Sequence, residues 1–282
     1  MDWKKVLFVL KKEFPYIFEN LKKYCSLNEG VYLILKDKKF KKQNDDDFKV
    51  QLDRVFFLTE NIIFSLSKEY FRIFKDLINI DGIKVDTSHK SSGSYLNVDG
   101  KQINFKYTGT YFDVCTLVHE FIHYLNRLSC VGKSPFIRQC FGETLAISFE
   151  LISEQLLKEM EVEPHITATE IRSEFEKNMT AYYQDIILNL KEEELANDEI
   201  PELINNDEIL MAHRIASHFQ HLLGYVLANY LIQNFSINEI VKLNDKINDF
   251  TSVDDVFSYL KTDLDKLQDY NFLEETVEQK YL

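Results

Sequence analysis

His119 and His123 stand four residues apart in the run His119-Glu120-Phe121-Ile122-His123, an H-E-x-x-H. The surrounding stretch, Val114 to Leu128, reads as helix, and on a helix residues four apart share a face. Both imidazoles can then reach one metal ion, most often zinc. Glu120, beside the first His, is placed to take a proton from a water that the metal activates. With 7 His in the chain, this pattern arises by chance in roughly one or two per cent of such sequences. Two His leave zinc undercoordinated, so further ligands are needed. The next helix is expected to open at Ser134-Pro135, a capping serine with proline in the first turn. It carries Glu143 and Glu150, seven apart on one face of an apolar run. Carboxylates in such a setting are either solvated or paired with positive charge. Zinc would pair Glu143 as third ligand, and Glu150 would then hold a ligand His from behind. The alternative is that both acids face solvent.

The elements that must position these groups are legible nearby. Tyr95–Val98 and Gln102–Tyr107 read as strands around Asp99-Gly100, a strong hairpin signal. The hairpin leads through Thr108-Gly109-Thr110 into the metal helix, where Thr110 or Asp113 suits the N-terminal cap or first turn. Such a strand can pair with an extended peptide through main-chain hydrogen bonds, or be purely structural. Farther on, Asn206 to Phe235 reads as one long helix bearing His213, Arg214, His218, His221 and Tyr225. Arg214, His218, His221 and Tyr225 follow a helical stripe. A basic and phenolic stripe suits a cleft wall facing the negative charge of a tetrahedral intermediate.

Together these residues resemble a known family. Lys90 to Tyr95, Thr108-Gly109-Thr110, Asp113, Thr116-Leu117, His119-Glu120, His123 and Glu143 to Glu150 are similar to the catalytic core of oligoendopeptidase F, in the thimet oligopeptidase family of zinc peptidases. The likeness is most specific over Lys90 to Glu150 and extends from about Asp53 to the C-terminus. It implies a mainly α, zincin-like catalytic domain with a small β-hairpin or sheet beside the active-site helix. It also implies one Zn2+ held by His119, His123 and Glu143, with Glu150 and Asp113 supporting the site from outside the ligand set, and cleavage of oligopeptides. In that family a helix comparable to 206–235 supplies a His and tyrosines opposite the zinc. His221 falls nearest a family tyrosine and is the first choice of oxyanion donor. Tyr225 is the second, and His213 or His218 takes the role if the register slips. Gly224 matches a family glycine. Three departures stand out: Ile122 where the family usually has Gly, a shorter span from His123 to Glu143 with a tight loop at Val131-Gly132-Lys133, and little more than residues 1–51 before the similar region.

Composition bounds these readings. A chain of 282 residues, 45% hydrophobic, with 22 Phe and 15 Tyr but only 8 Gly and 4 Pro, fits one elaborated helical domain: a short extension over 1–51 and a core over 52–282. The net charge of -13 disfavours nucleic acid and anionic membranes as partners. The basic cluster Lys36–Lys42, followed by Asp45-Asp46-Asp47, reads as a solvated loop. Cys25, Cys115, Cys130 and Cys140 form no C-x-x-C, which suits a reducing, cytoplasmic setting. Cys115 and Cys140 lie within a turn of the metal residues but read as buried thiols. The N-terminal run suits an amphipathic helix better than a signal peptide, and no segment is apolar for long enough to span a bilayer.

The expected order is a helix over Trp3–Tyr24, a strand over Val31–Leu35 and a helix over about Val50–Ile78. The hairpin, metal helix and Glu143 helix follow. Further helices are expected over Ile166–Leu190, 206–235, Val253–Leu260 and Leu264–Lys280, with the acidic stretch Lys191–Glu208 as a loop. The leading reading is a zinc metalloendopeptidase acting on oligopeptides. The alternatives are a regulatory protease with one protein substrate, and a catalytically silent module with a structural zinc.

Overall fold

The computed structural model describes residues 1–40, 49–88, 94–97, 101–129, 140–162, 167–192, 204–250 and 252–268. They are mainly helical, with one small three-stranded sheet. The expected first helix is broken into α1 (Trp3–Glu13), α2 (Pro15–Glu19) and the start of α3 (Leu21–Leu35). Pro15 lacks the N–H that would continue α1 and instead occupies the first turn of α2. The expected strand Val31–Leu35 is the end of α3. Its buried positions Tyr24, Cys25, Leu27, Asn28, Val31 and Leu35 keep helical spacing, whereas a short apolar run has no period of its own. The expected helix Val50–Ile78 divides into α4 (Leu52–Leu66) and α5 (Lys68–Asn79) at Ser67. Ser67 is extended, and its hydroxyl accepts from the Tyr70 N–H to cap α5.

The anticipated strands pair antiparallel as β2 (Tyr95–Leu96) and β3 (Ile103–Lys106), with Tyr95 opposite Asn104. The strand that was not anticipated is β1 (Ile83–Asp86), which runs parallel to β3 with Ile83 opposite Ile103. Strand order is β1-β3-β2. β3 buries Ile103 and Phe105 toward the helices and continues into the turn before α6 (Phe112–Ser129). Asp113 fixes that turn. Its carboxylate accepts from the N–H groups of Thr108 (3.0 Å), Gly109 (2.8 Å) and Thr110 (3.2 Å) and from Thr108 Oγ1 (2.7 Å). Gly109 has φ +84°, which a residue with a Cβ adopts only with strain. Asp113 thus ties the turn that launches α6 with both of its oxygens.

α7 (Gly142–Glu159) lies in the interior between α6 and α9 (Asn206–Asn234), and nearly every residue from Gly142 to Leu157 is buried. A helix buried all round must satisfy its polar side chains. Thr144, Ser148 and Ser153 each donate to the carbonyl four residues back. Glu154 accepts from the N–H (3.0 Å) and hydroxyl (3.2 Å) of Thr169, in the first turn of α8 (Ala168–Glu192). α9 opens with a capping box, Asn205 with Glu208. α10 (Ile237–Asp245) and α11 (Val253–Leu260) follow, then a 3-10 turn at Lys266–Gln268. One contiguous apolar core runs from Val6 to Leu267. No helix among the described residues is long and apolar enough to cross a membrane. Asp99-Gly100, Ser134-Pro135, the loop at 131–133, Cys130, most of the acidic stretch and residues 269–282 lie outside the described residues.

Candidate metal centre

α6 places His119 and His123 on one face, and α7 brings Glu143 against them. The Nε2 atoms of the two His are 3.1 Å apart. Glu143 Oε1 is 3.4 Å from His123 Nε2, and Glu143 Oε2 is 3.9 Å from His119 Nε2. Tetrahedral ligands about 2.0–2.1 Å from zinc are themselves about 3.3 Å apart. With one atom taken from each residue, the three donors lie within 4.8 Å of one another, close enough to converge on one small cation. His119, His123 and Glu143 could hold a metal ion. Glu120 is buried one residue after His119.

The three groups are coupled electrostatically. Burial alone would raise the Glu143 carboxyl, but His123, His221 and His119 around it win and hold it far below the usual carboxylate range. Burial pulls His123 down, and the adjoining Glu143 carboxylate outweighs it and raises the imidazole. Glu143 and His123 each stabilise the charged form of the other.

Behind the ligands runs a line of buried charges. His119 Nδ1 lies 2.9 Å from Glu150 Oε2. The Arg172 guanidinium on α8 donates to the same oxygen at 2.6 Å and to Glu150 Oε1 at 3.4 Å. Burial would raise Glu150, but Arg172 and His119 hold it below its ordinary value. Glu150 thus joins His119 to Arg172, an arginine that the sequence reading did not single out. Four residues on, Glu176 is 1% exposed, with no hydrogen-bond partner for either carboxylate oxygen among the described residues. Burial pushes it up to about 7, the nearby Arg172 opposing and Glu143 adding to the rise. Ser173, Glu176 and Thr180 give α8 a polar stripe on its buried face. That stripe is the signal that would have marked the helix as part of the site.

The stripe on α9 does not stay together. His221 faces the site, with Nδ1 3.7 Å from Glu143 Oε2. Tyr225 is buried, and its hydroxyl is 3.0 Å from Ser173 Oγ, with Arg172 and Glu176 near enough to act on it. His218 points the other way. It stacks on Tyr183 at 4.0 Å, its Nε2 meets Asn28 Oδ1 at 2.7 Å, and burial holds it down to about 3. His213 pairs with Glu13 at 2.6 Å, and the Arg214 carbonyl accepts from the Tyr183 hydroxyl. His218 and His221, three residues apart, differ by about 60° around the helix axis, enough for His218 to meet Asn28 on α3 while His221 faces Glu143. Cys115 and Cys140 are buried thiols outside the ligand group, and with Cys25 they are free of disulfides. Compared with protein-family models, with curated proteins and with solved structures, the chain matches none.

Proposed function

We propose that this chain is a zinc metallopeptidase that hydrolyses peptide bonds in oligopeptides, with a zincin-like catalytic domain of the oligoendopeptidase type. The observation that carries the reading is the convergence of His119 Nε2, His123 Nε2 and a Glu143 oxygen, with Glu120 one residue from the first ligand. A donor set of two His and one Glu is that of catalytic zinc, whereas structural zinc takes four protein ligands, mostly Cys and His. Bound there, zinc supplies a Lewis acid for the scissile carbonyl and lowers the pKa of the attacking water. Glu120 takes the proton from that water and returns it to the leaving amine. His221, on α9 and 3.7 Å from Glu143, would donate to the oxyanion as the carbonyl becomes tetrahedral. β2 forms one edge of the sheet and can align an extended substrate by main-chain hydrogen bonds. The three buried free thiols suit a reducing, cytoplasmic setting.

The test combines metal analysis with turnover of a mixed peptide library. About one zinc per chain and cleavage of short peptides are expected. Glu120→Gln should keep the zinc and lose most hydrolysis, since Gln preserves the shape but takes no proton. Zinc binding without turnover in the unaltered protein would replace this reading with that of a silent binding module.

A further inference from the structure

We infer that Arg172 is a positioning residue of the metal centre: it clamps Glu150 against His119 Nδ1 and so keeps His119 Nε2 turned toward His123 and Glu143. The inference rests on the reading of His119, His123 and Glu143 as a metal site. Arg172, Glu150 and His119 form one line across α8, α7 and α6. Glu150 is 1% exposed, and both of its oxygens are bonded to Arg172, at 2.6 and 3.4 Å. This two-pronged contact fixes the plane of the carboxylate as well as its position. Oε2, the oxygen nearer Arg172, is also the one 2.9 Å from His119 Nδ1. The 2.9 Å approach is not aligned as a full hydrogen bond, but a carboxylate beside Nδ1 favours the imidazole proton on that nitrogen. The lone pair then sits on Nε2, the atom that faces the other two ligands.

A simple role in docking α8 does not account for the pair. One turn away, Glu154 on α7 already holds the start of α8 through the Thr169 N–H and hydroxyl, at 3.0 and 3.2 Å. The Glu154 carboxylate holds the Thr169 N–H and hydroxyl, whereas Glu150 shares an oxygen between Arg172 and His119. The two acids lie on the same helix and grip the same neighbour, and the centre depends on only one of them.

The experiment measures affinity for Zn2+ by competition with a chromophoric chelator, and the visible spectrum of the Co2+-loaded protein, in the full chain. Arg172→Met should weaken zinc binding by about 10–100-fold and shift the Co2+ spectrum. Glu150→Gln should shift it in the same way. Arg172→Lys, which keeps the charge and loses the fork, should recover part of the affinity. Thr169→Val, a docking control, should lower the melting temperature and leave zinc affinity within about threefold. The double variant Glu150→Gln/Arg172→Met should bind no more weakly than Glu150→Gln alone, because Arg172 acts through Glu150. It also leaves no unpaired buried charge, so it serves where Arg172→Met alone does not fold. Unchanged affinity and spectrum in folded Arg172→Met would overturn the role, as would a further loss in the double variant. Failure of the unaltered protein to bind zinc or cobalt would instead overturn the metal reading itself.

Discussion

Gly224 on α9 sits so close to Glu143 on α7 that a methyl group added to it would lie 3.0 Å from the Glu143 Cβ. The same methyl would be 3.4 Å from the Thr144 N–H nitrogen. The two helices therefore touch, backbone to backbone, at the residue that completes the ligand set. Gly224→Ala gains about 1 kcal/mol of helix propensity but overpacks a contact that costs about 1–3 kcal/mol. We expect a small net loss of stability and a weaker hold on zinc, read by thermal melting of the metal-free protein and by chelator competition. An alanine variant equal to the parent in both would mean that the helices part without moving Glu143.

His119→Ala should lose the metal and with it the stabilisation that binding confers. Zinc present at 100 times its dissociation constant adds about 2.7 kcal/mol to the folded state. The parent should therefore melt higher with zinc than with chelator, and the variant should melt at one temperature in both. A zinc-dependent shift that survives in the variant would remove His119 from the site.

His221 and Tyr225 should now separate in their effects. His221 is 3.7 Å from Glu143 and its side chain is 45% exposed, so it is open to a substrate in the cleft. His221→Ala should lower kcat by ~10²–10³ with a smaller change in KM, since its donor meets charge absent from the ground state. The Tyr225 hydroxyl is buried on Ser173. Tyr225→Phe should cost about 1 kcal/mol of stability for a lost buried hydrogen bond and leave turnover nearly unchanged. Steady-state kinetics with equilibrium unfolding decides both, and a large kcat loss in Tyr225→Phe would reverse the assignment.

Glu176 predicts a pH signature of stability. Its carboxyl titrates at about 7 in the fold against an ordinary 4.5. The folded chain keeps a proton that the unfolded chain releases, so its contribution is full below pH 4.5 and is lost as pH rises through 7. His218 acts in the opposite sense. Held at about 3 against 6.5, it weakens the fold as pH falls below 6.5. The profile of Glu176→Gln must therefore be read as its difference from the parent. That difference should grow in favour of the variant from pH 4.5 to 8, reaching about 3 kcal/mol. Parallel urea-midpoint profiles would contradict it.

The helix of His119, the Glu143 helix and the long His-bearing helix were readable because their signals are local: a spacing of four and a sustained period. Val31–Leu35 was misread because five apolar residues fit a strand as well as a helix, and only the preceding turn decides. β1 was missed because a parallel partner lies across a connection that the pair itself does not encode. Asp113 and Arg172 illustrate the harder limit. An acid before a metal helix looks the same whether it braces a ligand or ties a turn. An arginine in a polar helix looks solvated until the helix is packed. Which partner each meets is a tertiary fact, and so is the division of the α9 stripe between two faces.

His119, His123 and Glu143 fall within 25 positions, yet the groups packed around them reach to Arg172, on Glu150, and to His221 and Gly224, beside Glu143. A chain in which only α6 and α7 have met already owns the three donor side chains, but neither the Arg172 contact on Glu150 nor the α9 wall at Glu143. If the proposed site holds zinc, its full affinity should need α8 and α9 in place, and release of zinc should report either helix coming loose.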